Sequence, residues 1–353
     1  MSNVFGKKIN VSIFGESHGA LVGATLGGID AGIKINKEYI ADKLTKRRPF
    51  GKISTARREA DEFRIVSGEF QGYTTGAPLT IIIENHDTKS SDYSKFLDTP
   101  RPSHADFTAN VKYHGFQDYR GGGHFSGRVT AALVAVGAIL QAHLEEKGIY
   151  IGTHISAMKN IRDRAFQNYE SDIEALSKKS FPVLSAESEA SMLHLIENAA
   201  TRGDSVGGIL ESAVIGIDAG LGEPFFDSVE SEIAHILFSI PAVKGVSFGR
   251  GFGFSELFGS EANDAYETDG ANIYTKTNNN GGILGGITTG MPLIVNTAIK
   301  PTPSIFGEQD TVSLSKLENT KLEIKGRHDP AIIHRARAVV DAALAIAIYD
   351  LSL

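Results

Sequence analysis

Residues 128–147, RVTAALVAVGAILQAHLEEK, decide the fold. Their spacing predicts a helix whose first half is apolar on every side, and such a helix is buried rather than laid on a surface. A second stretch of the same kind, ARAVVDAALAIAIY at 336–349, carries only Arg337 and Asp341 as charges. Two buried helices need covering layers. Strand-like runs at 8–14, 22–28, 63–67, 79–84, 149–158, 207–217 and 293–299 supply them. Further helices are predicted at 37–48, 169–177, 186–201 and 227–239, the first with Asn36 as N-cap and stopped by Pro49. These elements do not alternate as βαβ units. The fold class is therefore α+β, a helical layer covered by sheets, rather than doubly wound. The polar stretch 85–112 reads as a long functional loop. No shift in composition marks a boundary, so residues 1–353 are expected to form a single domain.

The composition excludes several function classes. The chain has 353 residues, no Cys and a net charge of −7. Without Cys there are no disulfides, thiolate metal sites or cysteine nucleophiles. The net charge argues against general nucleic-acid affinity, which rests on an excess of Lys and Arg. His spacing shows no HExxH-like ligand set, so no metal is expected. The apolar run 129–140 is too short for a bilayer, so no membrane partner is expected. No apolar leader follows Met1, which makes a cytoplasmic location the expectation. Positive charge crowds Lys43, Lys46, Arg47, Arg48, Lys52, Arg57, Arg58 and Arg64. That cluster is either a focused field for a small anion or a solvated helix face.

Several segments carry chemistry-bearing residues. Gly15-Glu16-Ser17-His18-Gly19 follows a strand-like run and presents an imidazole and a hydroxyl on a glycine loop. On an extended chain Ser17 and His18 point to opposite faces, so a turn is needed to bring both to one ligand. His104 lies in a proline-stiffened loop, where Asp106 is placed to orient or protonate it. Gly121, Gly122 and Gly123 precede the apolar helix, and free backbone N–H groups with a helix dipole favour an anion there. Ser126 is placed to cap that helix or bind phosphate. Asp329-Pro330 reads as an N-cap and first helical residue as well as a chemical candidate.

GESHG at 15–19, RRP at 47–49, PRPSHAD at 100–106, YRGGG at 119–123, AVKGV at 242–246, GGILGGI at 281–287, KPTPS at 300–304 and GRHDP at 326–330 run in order along the chain. In these segments the sequence resembles chorismate synthases, from about residue 5 to residue 349. The resemblance implies a single-domain β–α–β sandwich with central helices between antiparallel sheets, assembled as a homotetramer. It implies a carbon–oxygen lyase in aromatic amino acid biosynthesis. The reaction is an anti-1,4 elimination of phosphate from 5-enolpyruvylshikimate 3-phosphate to chorismate, the last step of the shikimate pathway. It requires reduced FMN (FMNH2), with NADPH as a reductant in some members. The substrate carries two carboxylates and a phosphate, which arginine forks suit.

By the same resemblance, His18 protonates the leaving phosphate, His104 keeps the flavin in its useful protonation state, and Asp329 acts beside its N5. Ser17 and Ser126 organise the proton network. His124, Phe125, Ser126, Pro241, Ala242, Gly285, Lys300, Pro301, Thr302, Pro303, Ser304 and Arg327 match flavin positions. Arg47 matches a basic position at the substrate and NADP end, and Arg48, Arg128 and Arg335 are further anion ligands. The chain departs from the family form after the three glycines. Arg-Ser-Ser-Ala-Arg-Glu-Thr is replaced by His124-Phe125-Ser126-Gly127-Arg128-Val129-Thr130. Two other readings stay open: an NADPH-dependent flavin reductase and a non-catalytic flavin- or phosphate-binding relative.

Overall fold

Two antiparallel sheets face each other across the two apolar helices in the computed structural model, which describes residues 3–49, 51, 53–54, 60–86, 90–324 and 329–353. The first sheet runs Val4–Phe5, Asn10–Gly15, Leu21–Gly27, Leu79–Glu84, Phe63–Ser67 in spatial order. The second runs Val243–Phe248, Leu293–Ile299, Gly208–Ile215, Tyr150–Met158, Ile161–Arg162. Alternation fixes which face turns inward. Leu79, Ile81 and Ile83 are buried on the first sheet, and Leu293, Val295 and Ile299 on the second.

The helix Thr130–Glu146 packs on Leu21–Gly27 and Leu79–Glu84, whereas the C-terminal helix Ile333–Ser352 packs on Tyr150–Met158 and Gly208–Ile215. Every residue from Ala131 to Gln141 is buried. The stretch Gly127–Glu146 has the length and apolarity of a membrane span, yet it is enclosed by the core. The two helices meet at Gly137, where an added Cβ would stand 2.5 Å from Ala342 Cβ. One continuous apolar cluster joins both sheets and both helices. The helix Lys37–Arg47 lies alongside, tied by Tyr39, whose hydroxyl donates to Glu145 Oε1 at 2.5 Å. Its cap is as expected, with Asn36 Oδ1 accepting from Tyr39 N at 3.0 Å.

Two expectations are corrected, and one strand is added. The stretch 85–112 is not one long loop, because it contains a 3₁₀ segment, Ser90–Leu97, and a helix, Asp106–Tyr113. That helix buries only Ala109, so it has no apolar stripe to announce it. Asp329 and Pro330 do not start the last helix, which begins at Ile333 with no side-chain cap. Instead the Asp329 carboxylate is taken by Arg335 at 2.6 Å. The edge strand Val243–Phe248 was not predicted, since Gly245 and a register shift interrupt its alternation.

Candidate active site

At the end of strand Asn10–Gly15 the chain turns, with Gly19 N donating to Glu16 O at 3.1 Å. The turn buries Ser17 and His18 and aims both at the glycine loop. A Cβ added to Gly121 would lie 2.2 Å from His18 Nδ1 and Cε1 and 2.9 Å from Ser17 Oγ. One added to Gly122 would lie 3.3 Å from His104 Nε2 and Cε1. Gly121 and Gly122 thus separate the two imidazoles, and only the lack of a Cβ allows so close a fit. Gly123 O accepts from Ser17 N at 3.0 Å, locking turn and loop together. The glycines do not form a helix N-terminus: they lie within a kinked 3₁₀ segment, Arg120–Phe125, at positive φ, and a further 3₁₀ turn, Gly127–Val129, precedes Thr130. Ser126 caps the second of these by accepting from Arg128 N at 3.3 Å.

His104 is held by its own loop. Its Nδ1 is 2.6 Å from Asp106 Oδ1 and 3.1 Å from Arg101 Nη2. Arg101 already forks onto Asp106, Nε to Oδ2 at 2.7 Å and Nη2 to Oδ1 at 2.8 Å. We therefore assign the Nδ1 proton to the shorter, charge-assisted bond to Asp106, which leaves Nε2 facing Gly122. Burial holds the His104 pKa below the ordinary imidazole value, outweighing the opposite pull of Asp106. Burial pushes the Asp106 carboxyl up, but the Arg101 and His104 hydrogen bonds prevail and keep it well below the usual carboxylate range. Ser103, just before His104, has φ +58° and accepts from Lys300 Nζ through its carbonyl.

Among the described residues, the basic cluster is drawn largely onto carboxylates. Arg47, Arg48 and Arg128 converge on the buried Asp61. Arg128 pairs with Asp61 Oδ1, donates from Nε to Asn85 Oδ1 at 2.8 Å, and donates from Nη2 to Glu84 O at 3.0 Å. Arg47 donates to Thr130 Oγ1 at 3.1 Å and to Gly127 O at 2.7 Å. Lys46 pairs with Asp42, Arg64 with Glu84 and Arg120 with Asp118. Arg48 also lines a cleft of about 970 Å³ beside the helix Tyr169–Ser177, which neither imidazole lines. Lys52, Arg57 and Arg58 lie outside the described residues.

The expected flavin positions fall into groups. His124, Ser126 and Pro241 line one cleft of about 280 Å³ with Val11, Ile13 and Val129. The His124 ring is engaged there, its Nδ1 3.0 Å from Gly15 O, while Phe125 packs on Tyr113. Ala242, at φ +75°, accepts from Lys300 N at 2.9 Å through its carbonyl. This joins Pro241–Ala242 to the segment Lys300, Pro301, Thr302, Pro303, Ser304, and through Ser103 to His104. Thr302 Oγ1 is buried with no hydrogen-bond partner among the described residues. Asp329 joins this group less directly: Ser205 Oγ donates to Thr302 O at 2.7 Å, and the next residue, Val206, donates to Pro330 O at 2.8 Å. Gly285 stands in a separate turn that packs on the 223–229 segment. Arg327 lies outside the described residues.

Four residues around the imidazoles were missed by sequence reasoning. Tyr93 places its ring edge-on to His18, with centroids 5.0 Å apart. Asp118 approaches Gly123 and is held in its charged form chiefly by Arg120. Asn85 and Asp61 lie in polar stretches with no periodic signal. Asn85 directly follows the predicted strand 79–84, and that position at the start of a loop is the one signal that could have marked it.

The chain is similar to known proteins along nearly its whole length. The sequence profile of the family described as chorismate synthase matches residues 9–353. The chain is 43% identical over 345 residues to a chorismate synthase of Thermococcus kodakarensis, covering 98% of this chain and 96% of that protein. It is 45% identical over 357 residues to one from Dehalococcoides mccartyi, covering 100% and 97%. A crystal structure of chorismate synthase superposes with a TM-score of 0.76 at 27% identity, covering 98% and 92% of the two chains.

Proposed function

The chain belongs to the chorismate synthase family and is a carbon–oxygen lyase, and from that premise we propose a reduced-FMN-dependent anti-1,4 elimination. The substrate is 5-enolpyruvylshikimate 3-phosphate, and the products are chorismate and phosphate. The observation that carries this reading is the packing of His18 and His104 on either side of Gly121–Gly122. His18, on the buried turn, donates a proton to the departing phosphate. His104, neutral because burial lowers its pKa, handles a proton at Nε2 while Asp106 fixes its tautomer. Ser17 and Ser126 flank the two rings and complete the proton network. Asp329, oriented by Arg335, serves as the carboxylate base.

The residues fit a flavin in chemistry. A buried hydroxyl without a partner costs about 1–3 kcal/mol, so Thr302 Oγ1 suits a polar ligand atom. Lys300 supplies a cation, and the cleft of His124, Ser126 and Pro241 supplies apolar walls with polar tips. Reduced FMN brings electron density that a side-chain base cannot supply. Phe125, Ala242, Pro301, Pro303, Ser304, Gly285 and Arg327 complete the set proposed to hold it. Arg47, Arg48, Arg128 and Arg335 are proposed as ligands for the substrate or NADPH.

We also propose one domain over residues 1–353, a cytoplasmic location and a homotetramer. Phe225, Phe226, Phe252 and Phe258 are each more than three-quarters exposed, which supports burial against further copies. The direct test is anaerobic. Protein, reduced FMN and 5-enolpyruvylshikimate 3-phosphate are expected to yield chorismate and phosphate in equal amounts. Folded protein that yields neither refutes the proposal. NADPH oxidation with oxidised FMN tests the reductant separately.

A further inference from the structure

The turn carrying His18 is short, and the backbone carbonyls at its ends, those of Glu16 and Gly19, need hydrogen-bond donors. Asn85, the first residue after strand Leu79–Glu84, supplies them. Its Nδ2 donates to Glu16 O and to Gly19 O, both at 2.9 Å, spanning the two ends of the turn. Its backbone N donates to Ala20 O at 3.1 Å. Its Oδ1 accepts from Arg128 Nε at 2.8 Å. The orientation of the amide is forced, because Arg128 only donates and the two carbonyls only accept. Both hydrogens of the amide are thereby committed to the turn. Arg128 is anchored in turn to Asp61 and to Glu84 O.

We propose that Asn85 is a positioning residue that sets the placement of the His18 imidazole for proton transfer. Misplacement of a reacting group by about 1 Å can cost on the order of a hundredfold in rate. Gly19 N to Glu16 O closes the turn on itself and Ser17 N to Gly123 O ties it to the glycine loop, but neither bond bridges the carbonyls of Glu16 and Gly19. Asn85 alone, among the described residues, joins both ends of the turn to the arginine–carboxylate cluster. The inference rests on His18 being the proton donor.

The variants are Asn85→Asp and Asn85→Ala, each also combined with His18→Ala. Asp keeps the volume and the Arg128 bond but sets a carboxylate oxygen against two carbonyl oxygens. It therefore tests the role even if the Ala variant does not fold. Either substitution is expected to lower kcat by about 10- to 100-fold, with the KM for 5-enolpyruvylshikimate 3-phosphate changed by less than about 3-fold. Because Asn85 acts through His18, adding it to His18→Ala is expected to cause no further loss. A merely structural role predicts multiplied losses in the double variant, and that result overturns the proposal. Wild-type turnover in folded Asn85→Asp, with His18→Ala strongly impaired, also overturns it while leaving His18 in place. Full activity in His18→Ala removes the premise and the proposal together.

Discussion

Gly121 presses on His18 so closely that a single methyl group at its Cα would stand 2.2 Å from ring Nδ1 and Cε1. Gly122 stands off from His104, with the corresponding distance 3.3 Å. The loop is therefore a tight spacer on one side and a looser one on the other. Gly121→Ala must displace either the His18 ring or the loop, and its φ of +59° adds strain. It is expected to lower kcat by on the order of a hundredfold or more. Gly122→Ala also carries backbone strain, at φ +84°, but needs a shift of only a few tenths of an ångström at the ring and is expected to cost less than Gly121→Ala. Steady-state rates of both variants, with circular dichroism to confirm folding, check the ranking. Equal losses would refute it.

Asp106 is tied to both Arg101 and His104, and all three side chains are largely buried. Removing the carboxylate in Asp106→Asn leaves the Arg101 cation buried without its partner, a change that typically costs about 3–5 kcal/mol. The Asp106 carboxyl titrates below its unfolded value. Its contribution to stability is thus complete above about pH 4 and is lost as pH falls through the folded value. Urea unfolding at several pH values is expected to show the full deficit of Asp106→Asn at pH 7 and a shrinking one below about pH 4. Asp106 also raises the His104 pKa, so the acid limb of kcat/KM is expected to move to lower pH in the variant.

Two buried histidines give stability opposite pH dependences. His154 sits between Asp163, 2.9 Å from Nδ1, and Glu211, 3.2 Å from Nε2. Burial opposes its charge, but the two carboxylates prevail and raise its pKa. Its contribution is complete below about pH 6.5 and is lost as pH rises through the folded value. His334 accepts or donates at Ser54 Oγ, 2.8 Å away, and burial, with Arg335 adding, pushes it down to about 3. Its contribution is complete above about pH 6.5 and is lost on acidification towards pH 3. Accordingly, His154→Gln is expected to lose most stability in mild acid and less at alkaline pH. His334→Gln is expected to flatten the acid-side decline. Urea midpoints from pH 4 to pH 9 decide both.

The fold and the site were legible in the sequence to different depths. The helices 128–147 and 336–349 announced themselves because burial on every side removes the polar face. Strands Phe63–Ser67, Leu79–Glu84 and Leu293–Ile299 fall at their predicted bounds for the related reason that alternation reports one buried face. The helix Asp106–Tyr113 buries one residue and gave no such signal. At the site, Ser17, His18, His104 and Ser126 were marked by glycine and proline context. The arrangement that holds them was not, because Asn85, Asp61 and Tyr93 act through contacts across more than forty positions of chain. Such partners leave no local pattern. The triple glycine suggests an anion site from sequence, and its tight fit against His18 emerges only in three dimensions.

The crossing of the two central helices gives a test of the fold that leaves the chemistry alone. Gly137 lies near the middle of Thr130–Glu146, and a Cβ there would meet Ala342 Cβ at 2.5 Å and its backbone at 2.8 Å. Both residues are in well-packed helix interiors, so neither side chain has a rotamer by which to retreat. Gly137→Ala raises intrinsic helix propensity by about 1 kcal/mol, yet overpacking of a dense core typically costs about 1–3 kcal/mol. The steric term prevails, and a lower Tm is expected. Ala342→Gly removes the opposing methyl and is expected to restore part of the loss when combined with Gly137→Ala, but to destabilise the protein on its own. Thermal unfolding of the two single variants and the double variant measures this coupling. Strictly additive changes in stability would show that the helices do not touch at this point.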